Sequence, residues 1–125
     1  MNSILVVDDS HTIRQLVQLC LEGTNFKVEE AEDGVEALAL AKENCYGLVI
    51  TDIYMPNMSG TELIKALRLL DAYQATPIYI LTTDSDPNIK ALSKEVGASG
   101  WILKPINIAR LTEIIHEVFD EDPNP

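Results

Sequence analysis

The sequence alternates five times between a short apolar run and a longer amphipathic stretch, and this alternation limits the folds open to it more than any other feature. The apolar runs have the length of single strands, and they cover residues 3–7, 26–31, 46–51, 77–81 and 100–103. In the stretch that follows each run, apolar residues recur at the spacing of one helix face. Apolar strands that alternate with helices are typical of a parallel sheet covered on both faces. The sequence therefore predicts an α/β fold, a doubly wound (βα)5 sheet of five parallel strands.

Residues that start and stop helices fall between these runs. Asp33 and Ser59 are each followed three residues later by a glutamate, which is the spacing of a helix N-cap. Asp86 with Pro87 predicts another start, because proline fits the first helical position. Gly97 stands where the fourth helix should stop. The predicted loops are therefore short, as in a compact α/β domain.

Length and charge exclude several classes of protein. With 125 residues the chain fits one domain, predicted over residues 1–120, with a frayed acidic tail at 121–125 and no room for an output domain. Acids directly follow the first apolar run, and no run reaches about 18 residues, so we expect a cytoplasmic protein without membrane contact.

Nine Lys and Arg against 20 Asp and Glu give a net charge of −11, which argues against binding nucleic acid. Cys20 and Cys45 lack metal-ligand spacing, and Cys20 is predicted to be buried on an apolar helix stripe.

Polar side chains follow four of the five predicted strands at the point where each strand ends. Asp8 and Asp9 follow the first strand and Asp52 the third, while Thr82 ends the fourth and Lys104 follows the fifth. Each group taken alone is more simply an ordinary loop residue or a solvated charge. Because ligands of an open α/β sheet bind at the carboxyl ends of its strands, the set taken together predicts a site.

The chemistry of this predicted site favours a divalent cation and phosphoryl transfer. Carboxylates about 4 Å apart repel by roughly 4 kcal/mol per pair at an effective dielectric of 20, and a bound cation relieves that repulsion. Oxygen ligands of this kind suit Mg²⁺, which binds one or two carboxylates together with phosphate oxygens. A lysine and a hydroxyl beside Mg²⁺ are suited to handling a phosphoryl group, and a carboxylate can act as the nucleophile.

Several motifs, taken together, resemble one family. They lie at residues 5–10, 51–56 with 59–60, 80–82 and 97–105. On these motifs the chain resembles the receiver domain of two-component response regulators, most closely the single-domain regulators of chemotaxis. The resemblance runs from Ile4 to about Phe119. It implies the flavodoxin-like strand order 2-1-3-4-5, which is the known order of that family.

The resemblance also implies roles for the acidic residues. Asp52 matches the phosphoacceptor of the family. Asp9 is similar to a direct Mg²⁺ ligand, and Asp8 is similar to a ligand that acts through water. Asp52 and the backbone carbonyl of Tyr54 complete the protein ligands that the resemblance implies.

The remaining roles fall on the fourth and fifth strands. Lys104 resembles the lysine that binds the phosphoryl oxygens, and Pro105 stands where the family has a cis peptide bond. Thr82 resembles the switch hydroxyl, and Trp101 stands at the aromatic switch position. Trp is larger than the usual Tyr, Phe or His, and Thr83 is larger than the usual small residue after the switch threonine.

The function implied is a phosphorylation-dependent signalling switch in chemotaxis or motility. A histidine kinase would donate the phosphoryl group to Asp52, and the domain would then change its affinity for a protein target, with the flagellar motor switch as a candidate. The target surface is expected around the fourth helix, fifth strand and fifth helix, where Lys90, Lys94 and Arg110 make the chain least acidic. We expect a monomer that catalyses only its own phosphorylation and dephosphorylation.

Three alternatives stay open from the sequence. Within the same family, the domain could be a phosphorelay intermediate that passes its phosphoryl group to another histidine. A Mg²⁺-dependent phosphohydrolase with an aspartyl nucleophile is a second alternative, but the haloacid-dehalogenase pattern wants an aspartate where Tyr54 stands. A flavin or nucleotide binder is a third, although the loop after the first strand is acidic and has no glycine.

Overall fold

The computed structural model describes residues 2–83 and 88–119, and within these ranges the predicted alternation of strands and helices is confirmed. The predicted helix start at Asp86 with Pro87 and the predicted tail lie outside the described residues. The strands are β1 (Ser3–Val7), β2 (Lys27–Ala31), β3 (Leu48–Asp52), β4 (Ile78–Thr82) and β5 (Gly100–Leu103). The helices are α1 (His11–Cys20), α2 (Gly34–Glu43), α3 (Gly60–Arg68), α4 (Asn88–Val96) and α5 (Ile108–Phe119), with a short 3-10 helix at Asp71–Tyr73.

The five strands form one parallel sheet in the order β2-β1-β3-β4-β5. This confirms the predicted (βα)5 flavodoxin-like topology. The longest helix, α5, has 12 residues, and within the two described ranges no helix is both long and apolar enough to cross a bilayer.

The helices cover the sheet in two apolar layers because alternate residues of a strand point to opposite faces. On one face, α2, α3 and α4 pack against residues such as Leu5 and Val49. On the other face, α1 and α5 pack against residues such as Ile4 and Leu48. The central strands are thus buried on both sides, and their carboxyl ends are left together at one edge of the sheet.

β3 and β4 each end one residue later than predicted, and β4 also begins one residue later. Three further differences have a visible cause in the packing. β2 begins at Lys27 because Phe26 packs instead against Phe119, with 5.0 Å between ring centroids. β3 begins at Leu48, since Tyr46 is buried outside the ladder and donates its hydroxyl to Glu29. The prediction that Cys20 is buried was wrong, because this last residue of α1 only partly covers the α1–α5 layer.

Candidate functional site

The turn after β1 places two neighbouring carboxylates in different environments. Asp8 is fully buried, and its Oδ1 accepts a hydrogen bond from the backbone N–H of Ser10 at 2.9 Å. Asp9 is exposed. Ser10 caps α1, because its hydroxyl accepts from the N–H of Ile13 at 3.3 Å. The cap ends the strand and starts the helix at once, which holds both acids at the edge of the sheet.

The structure brings together the three acids that the sequence singled out. Asp8, Asp9 and Asp52 each offer a carboxylate oxygen within 4.8 Å of the others. β1 and β3 are adjacent in the sheet, and Asp52 is the last residue of β3, so parallel pairing alone produces this contact.

Lys104 lies between two of these acids. Its Nζ is 2.9 Å from Oδ2 of Asp8 and 3.5 Å from Oδ1 of Asp52. The backbone N–H of Lys104 donates to the carbonyl of Thr82 at 2.8 Å, which continues the β4–β5 pairing up to the site. The bond from Lys104 to Pro105 is cis, as the resemblance implied.

Burial and neighbouring charges shift the pKa of two of these groups. Burial raises the pKa of Asp52, and the negative charge of Asp8 raises it further, against the opposing effects of Lys104 and of the N–H of Ile53. Burial alone would lower the pKa of Lys104, but its hydrogen bond to Asp8 and the charge of Asp52 leave that pKa raised. The lysine is therefore held charged, and Asp52 is a carboxylate that a further cation would stabilise.

The donor set fits Mg²⁺. Oδ2 of Asp8 is buried, and among the described residues its partner is the ammonium of Lys104 at 2.9 Å. A buried anionic oxygen of this kind, beside two further carboxylates, is the hard oxygen environment that Mg²⁺ requires.

Thr82 and Tyr54 line one cavity beside the acids. Thr82 is the last residue of β4 and is buried, whereas the side chain of Tyr54 is 80 % exposed. The cavity has a volume of about 360 Å³ and is also lined by Ile89 and Leu92 of α4. Thr83, the residue after Thr82, is exposed. A movement of Thr82 would therefore change the shape of a cavity that α4 also lines.

Trp101 lies away from the acids, on β5. It is half-buried and packs against the layer formed by α2, α3 and α4. It also lines a groove of about 470 Å³ together with Tyr79, Leu103 and Arg110. Arg110 is exposed and pairs with Glu113 at 2.9 Å. The structure thus places the predicted aromatic switch on the surface formed by β5 and α5.

Sequence reasoning missed Arg14, which supports the acidic turn. Arg14 is buried, and its Nη1 donates to the backbone carbonyl of Asp8 at 2.7 Å while its Nε donates to Glu30 at 2.8 Å. Burial would raise the pKa of Glu30, but hydrogen bonds from Arg14 and Gln18 lower it overall. The available signal was its spacing, because an arginine three residues before Val17 falls on the buried stripe of α1 and needs an acidic partner.

Gly60 allows α3 to start directly against the backbone of Asp52. Its N–H donates to the carbonyl of Ile53 at 2.7 Å. A Cβ at this position would lie 1.9 Å from the carbonyl oxygen of Asp52, which is closer than any side chain allows. Glycine is therefore required here for close approach rather than for backbone flexibility.

Comparison with known proteins agrees with this geometry. A family model described as the response regulator receiver domain matches residues 4–116. The chain belongs to this family. Its members are two-component phosphorylation switches, and the acidic edge described above lies within the matched residues of this receiver domain.

Similar proteins include chemotaxis and transcriptional regulators. The structure of the chemotaxis protein CheY4 of Vibrio cholerae is 43 % identical, with a TM-score of 0.89, over 95 % of this chain and 99 % of that one. The response regulator ArlR of Staphylococcus saprophyticus is 33 % identical over 98 % of this chain and 54 % of its own length. The transcriptional regulatory protein SrrA of Staphylococcus aureus is 37 % identical over 85 % of this chain and 43 % of its own length. The chain thus spans about half the length of these two curated relatives.

Proposed function

We propose that this receiver domain accepts a phosphoryl group on Asp52 from a histidine kinase, with Mg²⁺ held by Asp8, Asp9, Asp52 and the carbonyl of Tyr54. The observation that carries the proposal is the position of Asp52. Its carboxylate lies within 4.8 Å of the other two acids, and one of its oxygens is 3.5 Å from the ammonium of Lys104.

The proposed reaction uses these positions. A carboxylate oxygen of Asp52 attacks the phosphorus of a phosphohistidine, and the bond from phosphorus to the imidazole nitrogen breaks with its electrons on the imidazole. Bound Mg²⁺ would neutralise negative charge on the phosphoryl oxygens. Lys104 is placed to pair with the oxygens of the new phosphoryl group. Thr82, buried at the end of β4, is then the hydroxyl that responds to them.

The response is proposed to reach a protein target through α4, β5 and α5. Thr82 shares a cavity with α4, and Trp101 lines the groove between β5 and α5. Lys90 and Lys94 on α4 and Arg110 on α5 are exposed, which makes this the least acidic surface of a chain with net charge −11. That charge supports a protein target rather than nucleic acid.

Chemotaxis is the pathway that we favour. The identity to the chemotaxis protein CheY4 is 43 %, against 33 % to ArlR and 37 % to SrrA. We propose a cytoplasmic monomer with the flagellar motor switch as its target and with no catalysis beyond its own phosphorylation and dephosphorylation.

The phosphoacceptor is tested by mass. Acetyl phosphate with Mg²⁺ should add one phosphate to the wild-type chain, and Asp52→Asn should remove that addition because an amide is a poor nucleophile. Asp71→Asn makes the same chemical change at an exposed position of the 3-10 helix and should leave labelling intact. Undiminished labelling of Asp52→Asn would show that Asp52 is not the phosphoacceptor.

The mode of action is tested by binding. A switch should gain affinity for the flagellar motor switch protein when beryllofluoride and Mg²⁺ are added. Rapid transfer of the phosphoryl group from Asp52 to a histidine phosphotransfer domain, without such a gain, would instead identify a phosphorelay intermediate.

A further inference from the structure

The loop between β3 and α3, residues 53–59, contains an unusual turn. Asn57 has a φ of +69°, and the N–H of Met58 donates to the carbonyl of Pro56 at 2.7 Å. A hydrogen bond that spans three residues around a positive φ is a γ-turn of the rare, strained kind. Such a conformation persists only where the surroundings hold it, and it is found most often at functional sites.

The side chain that caps the N-terminus of α2 holds this turn. Nδ2 of Asn57 donates to Oδ2 of Asp33 at 2.7 Å. Oδ1 of the same carboxylate accepts from the N–H of Glu36 at 2.8 Å and so caps α2. Both hydrogen bonds favour the ionised carboxylate and lower the pKa of Asp33. One oxygen of Asp33 therefore starts the helix, and the other binds the loop.

A second contact joins the same two elements at the next residue. The N–H of Gly34 donates to the carbonyl of Met58 at 3.3 Å. A Cβ on Gly34 would lie 2.7 to 2.8 Å from Cγ, Cβ and the carbonyl oxygen of Met58. The apex of the loop is thus fixed to the first turn of α2 at two successive residues.

The other end of the loop is fixed to the phosphoacceptor itself. The N–H of Ile53 donates to Oδ1 of Asp52 at 2.9 Å, and the carbonyl of Ile53 accepts from Gly60 at 2.7 Å. Between these bonds and the apex lies Tyr54, whose side chain is 80 % exposed and adds little restraint. The backbone around Tyr54 is therefore held from its two ends.

We propose that Asp33 and Asn57 are positioning residues for the site, which hold the loop so that the carbonyl of Tyr54 and the carboxylate of Asp52 face a bound Mg²⁺ together. This inference rests on the proposed function and adds the pair as a requirement of the metal site. Neither residue touches the metal or the phosphoryl group in this arrangement.

Four variants separate this role from simple helix capping. Asp33→Ser keeps an oxygen that can cap α2 but loses the one that binds Asn57. Asn57→Gly keeps the backbone conformation but loses the amide. The exchange Asp33→Asn with Asn57→Asp restores the hydrogen bond with donor and acceptor reversed, and it keeps the net charge. Glu36→Ala is the matched control, because it removes the hydrogen bond to the N–H of Glu32 at the same helix start without touching the loop.

Two measurements are needed: Mg²⁺ affinity by calorimetric titration, and the rate of labelling by acetyl phosphate. Asp33→Ser and Asn57→Gly should each weaken Mg²⁺ binding and slow labelling by about tenfold or more, as the loss of partners behind metal ligands does, and combining them should add little. The exchanged pair and Glu36→Ala should stay within about twofold of wild type.

The outcomes are distinct. If Asp33→Ser and Asn57→Gly bind Mg²⁺ as Glu36→Ala does, the positioning role is overturned. If the exchanged pair is as impaired as the single variants, the hydrogen bond is not the cause and the inference is also overturned. A wild-type chain that binds Mg²⁺ but is never labelled on Asp52 overturns the proposed function, while the Mg²⁺ affinities still decide the role of the pair.

Discussion

The two ends of β3 lie four residues apart and do opposite things for the molecule. Leu48, at the start, is fully buried in the layer formed with α1 and α5, where an apolar side chain of this size contributes about 1.5 to 3 kcal/mol. Asp52, at the end, lies among carboxylates, and its burial disfavours the charge it must carry. The buried start of the strand therefore contributes stability, and the end of the strand lowers it by holding a partly buried charge.

The largest expected effect lies at the apolar end. Leu48→Ala should lower the free energy of unfolding by about 2 to 5 kcal/mol, because it leaves a cavity in a fully buried layer. The folded variant should still bind Mg²⁺ as wild type does. Urea denaturation and Mg²⁺ titration check this, and a large loss of Mg²⁺ affinity would show that the two ends are not separable.

Lys104→Met, beside the Asp52 end of β3, should have the next largest effect. It leaves the buried carboxylate of Asp8 without its cation partner, so the free energy of unfolding should fall by about 1 to 3 kcal/mol. Lys94→Met, on the exposed side of α4, is the control and should change the free energy of unfolding by less than about 0.5 kcal/mol. Equal effects of the two variants in urea denaturation would contradict a structural role for the Asp8–Lys104 pair.

Asp52→Asn should stabilise the domain when Mg²⁺ is removed with EDTA. The carboxylates of Asp8 and Asp52, about 5 Å apart, repel by roughly 1 kcal/mol in bulk water and by roughly 3 kcal/mol at an effective dielectric of 20. Because Lys104 offsets part of this repulsion, we expect the free energy of unfolding to rise by about 1 kcal/mol in the variant. Because the folded pKa of Asp52 is raised, the wild type should lose stability as the pH rises above the ordinary carboxyl pKa. Thermal unfolding between mildly acidic and neutral pH should show this slope in wild type and a weaker one in the variant. If Asp52→Asn is less stable than wild type without Mg²⁺, the idea that the carboxylate end of β3 lowers stability is contradicted.

The smallest expected effect is spectroscopic. Trp101 is the one tryptophan of the chain and is half-buried beside the groove of about 470 Å³. Beryllofluoride with Mg²⁺ should shift its emission modestly to the blue, and Mg²⁺ alone should shift it less, because fitting an indole further inward costs about 1 to 3 kcal/mol. Thr82→Ala should abolish the shift while leaving Asp52 reactive. An unchanged spectrum, when other probes report activation, would make Trp101 a fixed packing residue.

The fold was predictable because each local signal agreed with the global one. The apolar runs, the caps at Asp33 and Ser59 and the stop at Gly97 all lie where the structure has element ends. The boundaries at Phe26 and Tyr46 were not predictable, since tertiary contacts remove those residues from the ladder.

The acids of the site could be assembled from strand ends alone, but their differences could not. Nothing in the sequence indicates that Asp8 is buried while Asp9 is exposed. The supports of the site were equally hidden. Arg14 and Asn57 act through partners on other elements, and those partnerships exist only once the sheet and helices have packed.

The contact between Asp8 and Lys104 has a consequence for how the domain is made. Asp8 follows the first strand and Lys104 the last, with β3 and β4 between β1 and β5 in the sheet. Contacts so distant in sequence close a long loop, which costs entropy and slows folding. The chain must therefore be synthesised through β5 before Asp8 and Asp52 gain Lys104 as a partner. Under the proposed function, a nascent or truncated chain that lacks Lys104 would therefore be a poor acceptor of phosphoryl groups.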